Sequence, residues 1–298
     1  KYTVIPLFIF DDAILDSLPY NDPRVGFIYE NLSKINTQLL KIESALLVKK
    51  GNTFAVWESL LEEFDVAAVF FNKDYEPYAI KRDTAICKLL ETNNAIAFSF
   101  KDQVIFEEKE ITKADGLPYT VYTPFKNKWL EKYKSMAPVL EYDATDVFSN
   151  FHKCDFVFPS LEQIGFEKSP IKVKPHNLKF IANYQDIRDF PALDQTSYLS
   201  PHLRFGTVSI RKLVNWAFHK NDVFLSELIW REFFMQILFS FPRVVTQNFK
   251  SAYDGIQWRN NEEDFKRWCT GTTGYPMVDA GMRQLNETGF IHNRVRMV

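Results

Sequence analysis

This sequence is poor in glycine and cysteine, carries no excess of either charge and holds no long apolar run. Each shortage excludes something. With 10 glycines in 298 residues, no GxGxxG follows any strand-like segment, so a Rossmann dinucleotide fingerprint is excluded. Cys87, Cys154 and Cys269 are odd in number and far apart. They argue against a disulfide framework or a zinc cluster and suit a reducing compartment. No apolar run approaches the roughly 20 residues that span a bilayer, so no membrane partner is expected and the expected location is the cytoplasm. A formal net charge of −2 gives no global signature of nucleic-acid binding. A DNA partner would need a local basic face.

What is present is a globular composition, 46% hydrophobic and 25% charged, in a chain long enough for two domains with substantial cores. Aromatics reach 16%, with 28 Phe; so many rings favour a filled helical interior or a site for flat ligands. Residues 3–10, 45–48, 66–71 and 95–100 are short, β-branched and aromatic, as buried parallel strands are. Residues 25–42, 54–64 and 79–90 lie between them and are amphipathic, long enough for crossover helices. This predicts an α/β domain over residues 1–115, with a doubly wound parallel sheet. Six prolines between positions 118 and 175 break the pattern, predicting an interdomain linker over 116–181. Helical periodicity then covers 209–220, 223–239, 264–269 and 277–288, predicting an all-α domain over 182–298. The chain opens inside a strand-like run without an initiator Met and stops at Val298 without a terminating signal. A piece of a longer chain is expected.

Three segments carry chemistry. On the helix predicted over 223–239, Glu227, Trp230 and Arg231 fall at i, i+3 and i+4 and share one face. A carboxylate, an indole and a guanidinium among apolar neighbours differ from a plain core stripe, although the spacing alone also fits a Glu–Arg helix pair beside a half-buried Trp. Residues 270–285 form a tight Gly- and Pro-containing turn feeding a helix N-terminus, a weak signal for an anion site. Residues 289–297 place Asn293, Arg294 and Arg296 within four positions. The arginines suit phosphates and the amide suits a base or flavin edge, yet a solvated basic turn has the same composition.

In order and spacing, residues 196–206, 227–233, 273–285 and 288–297 resemble the helical flavin domain of the photolyase/cryptochrome family, nearest to its class I cyclobutane pyrimidine dimer photolyases. The preceding α/β region is similar to the family's antenna domain, so the resemblance spans nearly the whole chain. It implies a carbon–carbon lyase that splits pyrimidine dimers in DNA with light, by electron transfer from excited, reduced FAD to a flipped-out lesion. Residues matching the family's FAD contacts are Tyr184, Thr196, Ser197, Leu199, Ser200, Glu227, Arg231, Asn293 and Arg296. Hydroxyls and N–H groups of 196–200 suit a diphosphate, and the arginines supply permanent positive charge near an anionic flavin. The lesion pocket would take Glu227, Trp230, Asn293, Arg294 and Met297, with Glu227, Trp230 and Asn293 acting at the reacting centre. Trp258 matches the surface member of the tryptophan chain that photoreduces the flavin. The resemblance implies damaged DNA as partner, a monomer, and no metal.

Several departures qualify the match. The family's first strand and the C-terminal part of its flavin site fall outside this chain, and Phe224 stands where many members have Trp. Folate-antenna members carry an Asn-Glu pair where this chain has Tyr78-Ala79. Folate is therefore disfavoured, and the identity of any second antenna chromophore stays open. The rival reading is a cryptochrome-type blue-light receptor or regulator without repair activity. Met297 and the run His292-Asn293-Arg294 favour repair.

Overall fold

The computed structural model describes residues 2–136 and 145–297, and the chain divides into two compact units. The first comprises Lys1–Phe71, Lys81–Phe100 and Leu140–Val173. Strands β1 (Leu7–Asp11), β2 (Leu47–Gly51), β3 (Ala68–Asn72) and β4 (Ile96–Phe100) alternate with helices α1 (Asp12–Leu15), α2 (Pro23–Leu40), α3 (Thr53–Glu63) and α4 (Pro77–Thr92). β1 and β2 pair in parallel, Leu7 opposite Leu47 and Asp11 opposite Gly51. β3 and β4 form a second pair. The α/β class is observed, with its strands hydrogen-bonded two by two instead of in one continuous ladder.

Local chemistry sets the helix starts. Asp22 accepts the Arg24 amide at 2.8 Å with Pro23 as the first helical residue of α2, and Asn52 caps α3 through the Phe54 and Ala55 amides. Both satisfy donors that a helix N-terminus leaves unpaired. Phe10, Val25, Leu32 and Leu39 form the core with Ile164 and Phe166. The last two belong to the stretch expected to be a linker. Burying them draws that part of the chain onto the first unit, where Val4 bridges Phe151 and the Cys154 amide donates to the Glu43 carbonyl at 3.1 Å.

The second unit comprises Asn72–Ile80, Lys101–Val139 and Lys174–Val298. It holds α5 (Tyr122–Ser135), α6 (Tyr184–Ile187), α7 (Leu199–Arg204), α8 (Ile210–Phe218), α9 (Asp222–Ser240), α10 (Glu262–Thr270), α11 (Pro276–Thr288) and α12 (Asn293–Arg296). Helix α5 also lies inside the expected linker. Its Pro124 falls in the first turn, where a missing N–H removes no intrahelical bond. Phe125, Trp129 and Tyr133, spaced by four, are its buried stripe. The boundaries 1–115, 116–181 and 182–298 therefore differ from the observed units, because apolar residues in the proline-rich stretch are taken up by both cores.

The second core joins Phe125 and Trp129 to Leu213 and Val214 of α8 and to Leu225, Leu228, Ile229 and Phe233 of α9. Asn221 caps α9 by accepting the Phe224 amide at 2.9 Å. Gly289 ends α11 at φ +67, the left-handed geometry that favours glycine there. A side chain at Gly281 of α11 would collide with Val295 of α12, so glycine lets the two helices approach. Among the described residues, no helix is long and apolar enough to cross a membrane.

Candidate active site

One set of predicted residues converges on a chain of charges. Glu227 of α9 accepts from Arg188, which follows α6, with Oε1 2.8 Å from Nη1. The Arg188 guanidinium also lies 5.2 Å from the Tyr184 ring centre, within cation–π range, and 3.7 Å from Asp189. Asp189 in turn accepts from Arg294 Nε of α12 at 2.5 Å. Arg294 and Asn293 both reach the Met297 sulfur, at 3.7 and 4.0 Å. Tyr184, Glu227, Asn293, Arg294 and Met297 are thus brought together through α6, α9 and α12. Burial and the Glu227 charge raise the Tyr184 pKa against the opposing pull of Arg188 and Arg294.

Trp230 stands one turn along α9 from Glu227. Its ring stacks on Tyr122 of α5 with centroids 3.5 Å apart and planes within 8°. The Tyr122 hydroxyl donates to the Ser226 carbonyl at 2.7 Å and lies 2.6 Å from its Oγ. Burial, with an added push from Glu227 and against the Ser226 contact, takes its pKa up to about 12. The phenol therefore stays neutral. Phe234, itself 60% exposed, stacks beside Trp230 at 5.4 Å. The Tyr122 stack fixes the orientation of the indole before any ligand arrives.

Arg231 does not join this group, which corrects the expectation of one shared face for Glu227, Trp230 and Arg231. Its guanidinium donates to the Gln103 carbonyl at 2.6 Å and the Leu203 carbonyl at 3.2 Å. The half-buried backbone carbonyls of those segments need donors, and the long Arg231 side chain turns to them although its helix position lies only about 40° from that of Glu227. Next to it, Glu232 is 3% exposed and accepts three N–H groups: Ile105 at 2.7 Å, Phe106 at 3.1 Å and the Trp129 indole at 2.7 Å. Burial pushes its pKa up to about 7, against the lowering effect of these donors and of Arg231.

The remaining predicted residues lie elsewhere in the second unit. Thr196 Oγ1 is buried and has no hydrogen-bond partner, a hydroxyl suited to an anionic oxygen. The Ser197 carbonyl accepts the Asn177 amide at 2.8 Å, Leu199 is buried and Ser200 is exposed. Between them Tyr198 holds a left-handed φ of +52 and bonds Asp194 and Lys174 through its hydroxyl. Such a backbone is costly for a residue with a side chain and concentrates at binding sites. Arg296 is exposed, and its backbone N–H donates to the His292 carbonyl at 2.9 Å. Trp258 is 71% exposed. His292 caps α12 through the Arg294 amide at 3.1 Å, and burial lowers its pKa. Sequence reasoning missed Tyr122, Arg188, Asp189 and Glu232. The nearest signal for Arg188 and Asp189 was their closeness to Tyr184; nothing local marked the other two.

An α/β unit followed by a helical unit with this polar and aromatic surface defines a two-module protein, and comparison with known proteins narrows it. Residues 1–146 match the family model described as DNA photolyase, and residues 224–298 match the one described as FAD binding domain of DNA photolyase. The chain is 33% identical to the deoxyribodipyrimidine photo-lyase of Halobacterium salinarum, over 99% of this chain and 66% of that protein. To the deoxyribodipyrimidine photo-lyase of a Synechococcus species it is 31% identical, over 99% and 67%. The crystal structure of an archaeal photolyase from Sulfolobus tokodaii with two FAD molecules matches with a TM-score of 0.75 at 33% identity, over 100% of this chain and 67% of that one. The chain belongs to the DNA photolyase family. It spans about two thirds of the length of these relatives.

Proposed function

We propose that the protein to which this chain belongs is a light-driven lyase that repairs cyclobutane pyrimidine dimers in DNA with FAD as cofactor. The observation that carries the reading is the polar chain from Glu227 through Arg188 and Asp189 to Arg294, with Asn293 and Met297 beside it, on a helical unit whose α9 also carries the rigidly stacked Trp230. A flipped dimer presents apolar ring faces and hydrogen-bonding edges, and these side chains offer a counterpart to each. Trp230 and Met297 take the apolar face, while Glu227 and Asn293 bond the carbonyl and imide groups. Arg294 binds backbone phosphate and braces the opened duplex.

The helical unit also suits the cofactor. The orphaned Thr196 hydroxyl, with Ser197, Leu199 and Ser200, forms a candidate cradle for the diphosphate. Tyr184 would supply an aromatic wall, Asn293 would bond the flavin, and Arg296 would bring positive charge. Glu227, held by Arg188, would contact both flavin and lesion. Arg231 acts from behind, fixing α9 against the Gln103 and Leu203 carbonyls. When bound and reduced, FAD supplies the light-driven electron that opens the ring bonds. Trp258 provides a surface electron donor.

The test is a repair assay on the full-length protein, using an oligonucleotide that contains a thymine dimer. Light-dependent disappearance of the dimer by the flavin-loaded protein is expected. Flavin binding without repair would overturn the lyase reading in favour of a receptor or regulator.

A further inference from the structure

We propose that Asp189 is an internal stand-in for a DNA phosphate, holding the Arg294 guanidinium until the backbone of DNA replaces it. The inference rests on the reading of Arg294 as a DNA contact. Arg294 Nε meets Asp189 Oδ1 at 2.5 Å, a charge-assisted geometry that a phosphate oxygen offers an arginine equally well. The pair is open to water, its side chains 36% and 54% exposed. Solvent screening makes such a pair weak and easily exchanged.

The other cation beside Asp189 behaves differently. Arg188 is 19% exposed, lies 2.8 Å from Glu227 and covers the Tyr184 ring. It stands farther from Asp189, at 3.7 Å. Arg188 is therefore the fixed member of the network and Arg294 the releasable one. A swing of the Arg294 side chain about its own torsions breaks the Asp189 contact while leaving the Glu227–Arg188 bond intact. In the free protein Asp189 holds Arg294 through its Nε. It also competes with phosphate for the same donor. The arrangement sets how strongly the protein grips any DNA, with or without a lesion.

The experiment measures the affinity of the full-length, flavin-loaded protein for an intact duplex and a dimer-containing duplex across a salt series. Asp189→Asn should tighten binding to both duplexes by about two- to five-fold at low salt, the size of one exposed ion pair. The plot of log affinity against log salt should steepen by up to about one unit, as one more cation is free to displace counterions. Asp189→Glu should keep the parent values, and Asp189→Ser should repeat the effect of Asn should the latter lose flavin. Unchanged affinity and slope in both neutral variants, or equal tightening in the Glu variant, would overturn the stand-in. Arg294→Ala separates this from the reading beneath it. Weaker binding in Arg294→Ala with no effect in Asp189→Asn sinks the stand-in alone, whereas no effect in Arg294→Ala sinks the DNA contact itself.

Discussion

Two glutamates five residues apart on α9 live under opposite rules. Glu232 is buried, and its carboxylate is met by three neutral N–H donors from Ile105, Phe106 and Trp129. Glu227 is partly open, with a side chain 32% exposed, and is met by the Arg188 cation. The first arrangement ties α5 and a backbone segment to α9 and has nothing left to offer a ligand. The second leaves an oxygen and a cation near a surface where water, flavin or DNA can compete. In the proposed function the inner face of the helix serves stability and the outer face binding. Trp129 and Tyr122 lie seven residues apart on α5, so the Glu232 contact that seats Trp129 also helps to seat Tyr122 against Trp230.

The sharpest way to break this comparison is Glu232→Ala. Three buried donors would lose their acceptor, and leaving such groups unpaired costs roughly 3–5 kcal/mol in total. Urea unfolding should show a loss of that size; a loss below about 1 kcal/mol would place Glu232 among ordinary surface acids.

The pH dependence is the next effect in size. Glu232 has a folded pKa of about 7 against an ordinary value of 4.5. Between those values the folded protein keeps a proton that the unfolded chain has released. Its contribution is fully present below 4.5 and is lost as pH rises through about 7, on the order of 3 kcal/mol across the window. Glu232→Gln should flatten that part of the stability curve, and an unaltered slope would assign the titration to another group.

Glu227→Gln should do the reverse. Loss of a partly exposed ion pair changes stability by less than about 1 kcal/mol, while dimer repair should fall, because the proposed function sets the acid against flavin and lesion. A variant with full repair and reduced stability would move Glu227 to the structural side of the comparison.

The same contrast explains what could be read in advance. Helix α9 was legible because apolar residues recur at helical spacing, and Glu227 and Trp230 were legible because they interrupt that pattern. Tyr184 and the 293–297 run were recognisable only as parts of longer motifs. Glu232 was illegible: its partners lie 127, 126 and 103 residues away in sequence, and no local pattern reports a contact at that range. Arg231 was assigned to the outer face because spacing alone cannot register the carbonyls of Gln103 and Leu203 that turn it inward. Arg188 and Asp189 sit in a polar stretch that resembles solvated chain until α12 is folded beside it. Helix α5 was hidden by Pro124, which is permitted in a first turn yet reads as a breaker.

The most direct test of the outer face as the lesion surface is the ratio of affinities for dimer-containing and intact duplex, measured on the full-length protein before and after Trp230→Ala. Stacking of about 1–3 kcal/mol per base predicts a ratio reduced by roughly 5- to 150-fold with flavin content retained. An unchanged ratio, or equal weakening for both duplexes, would contradict the account.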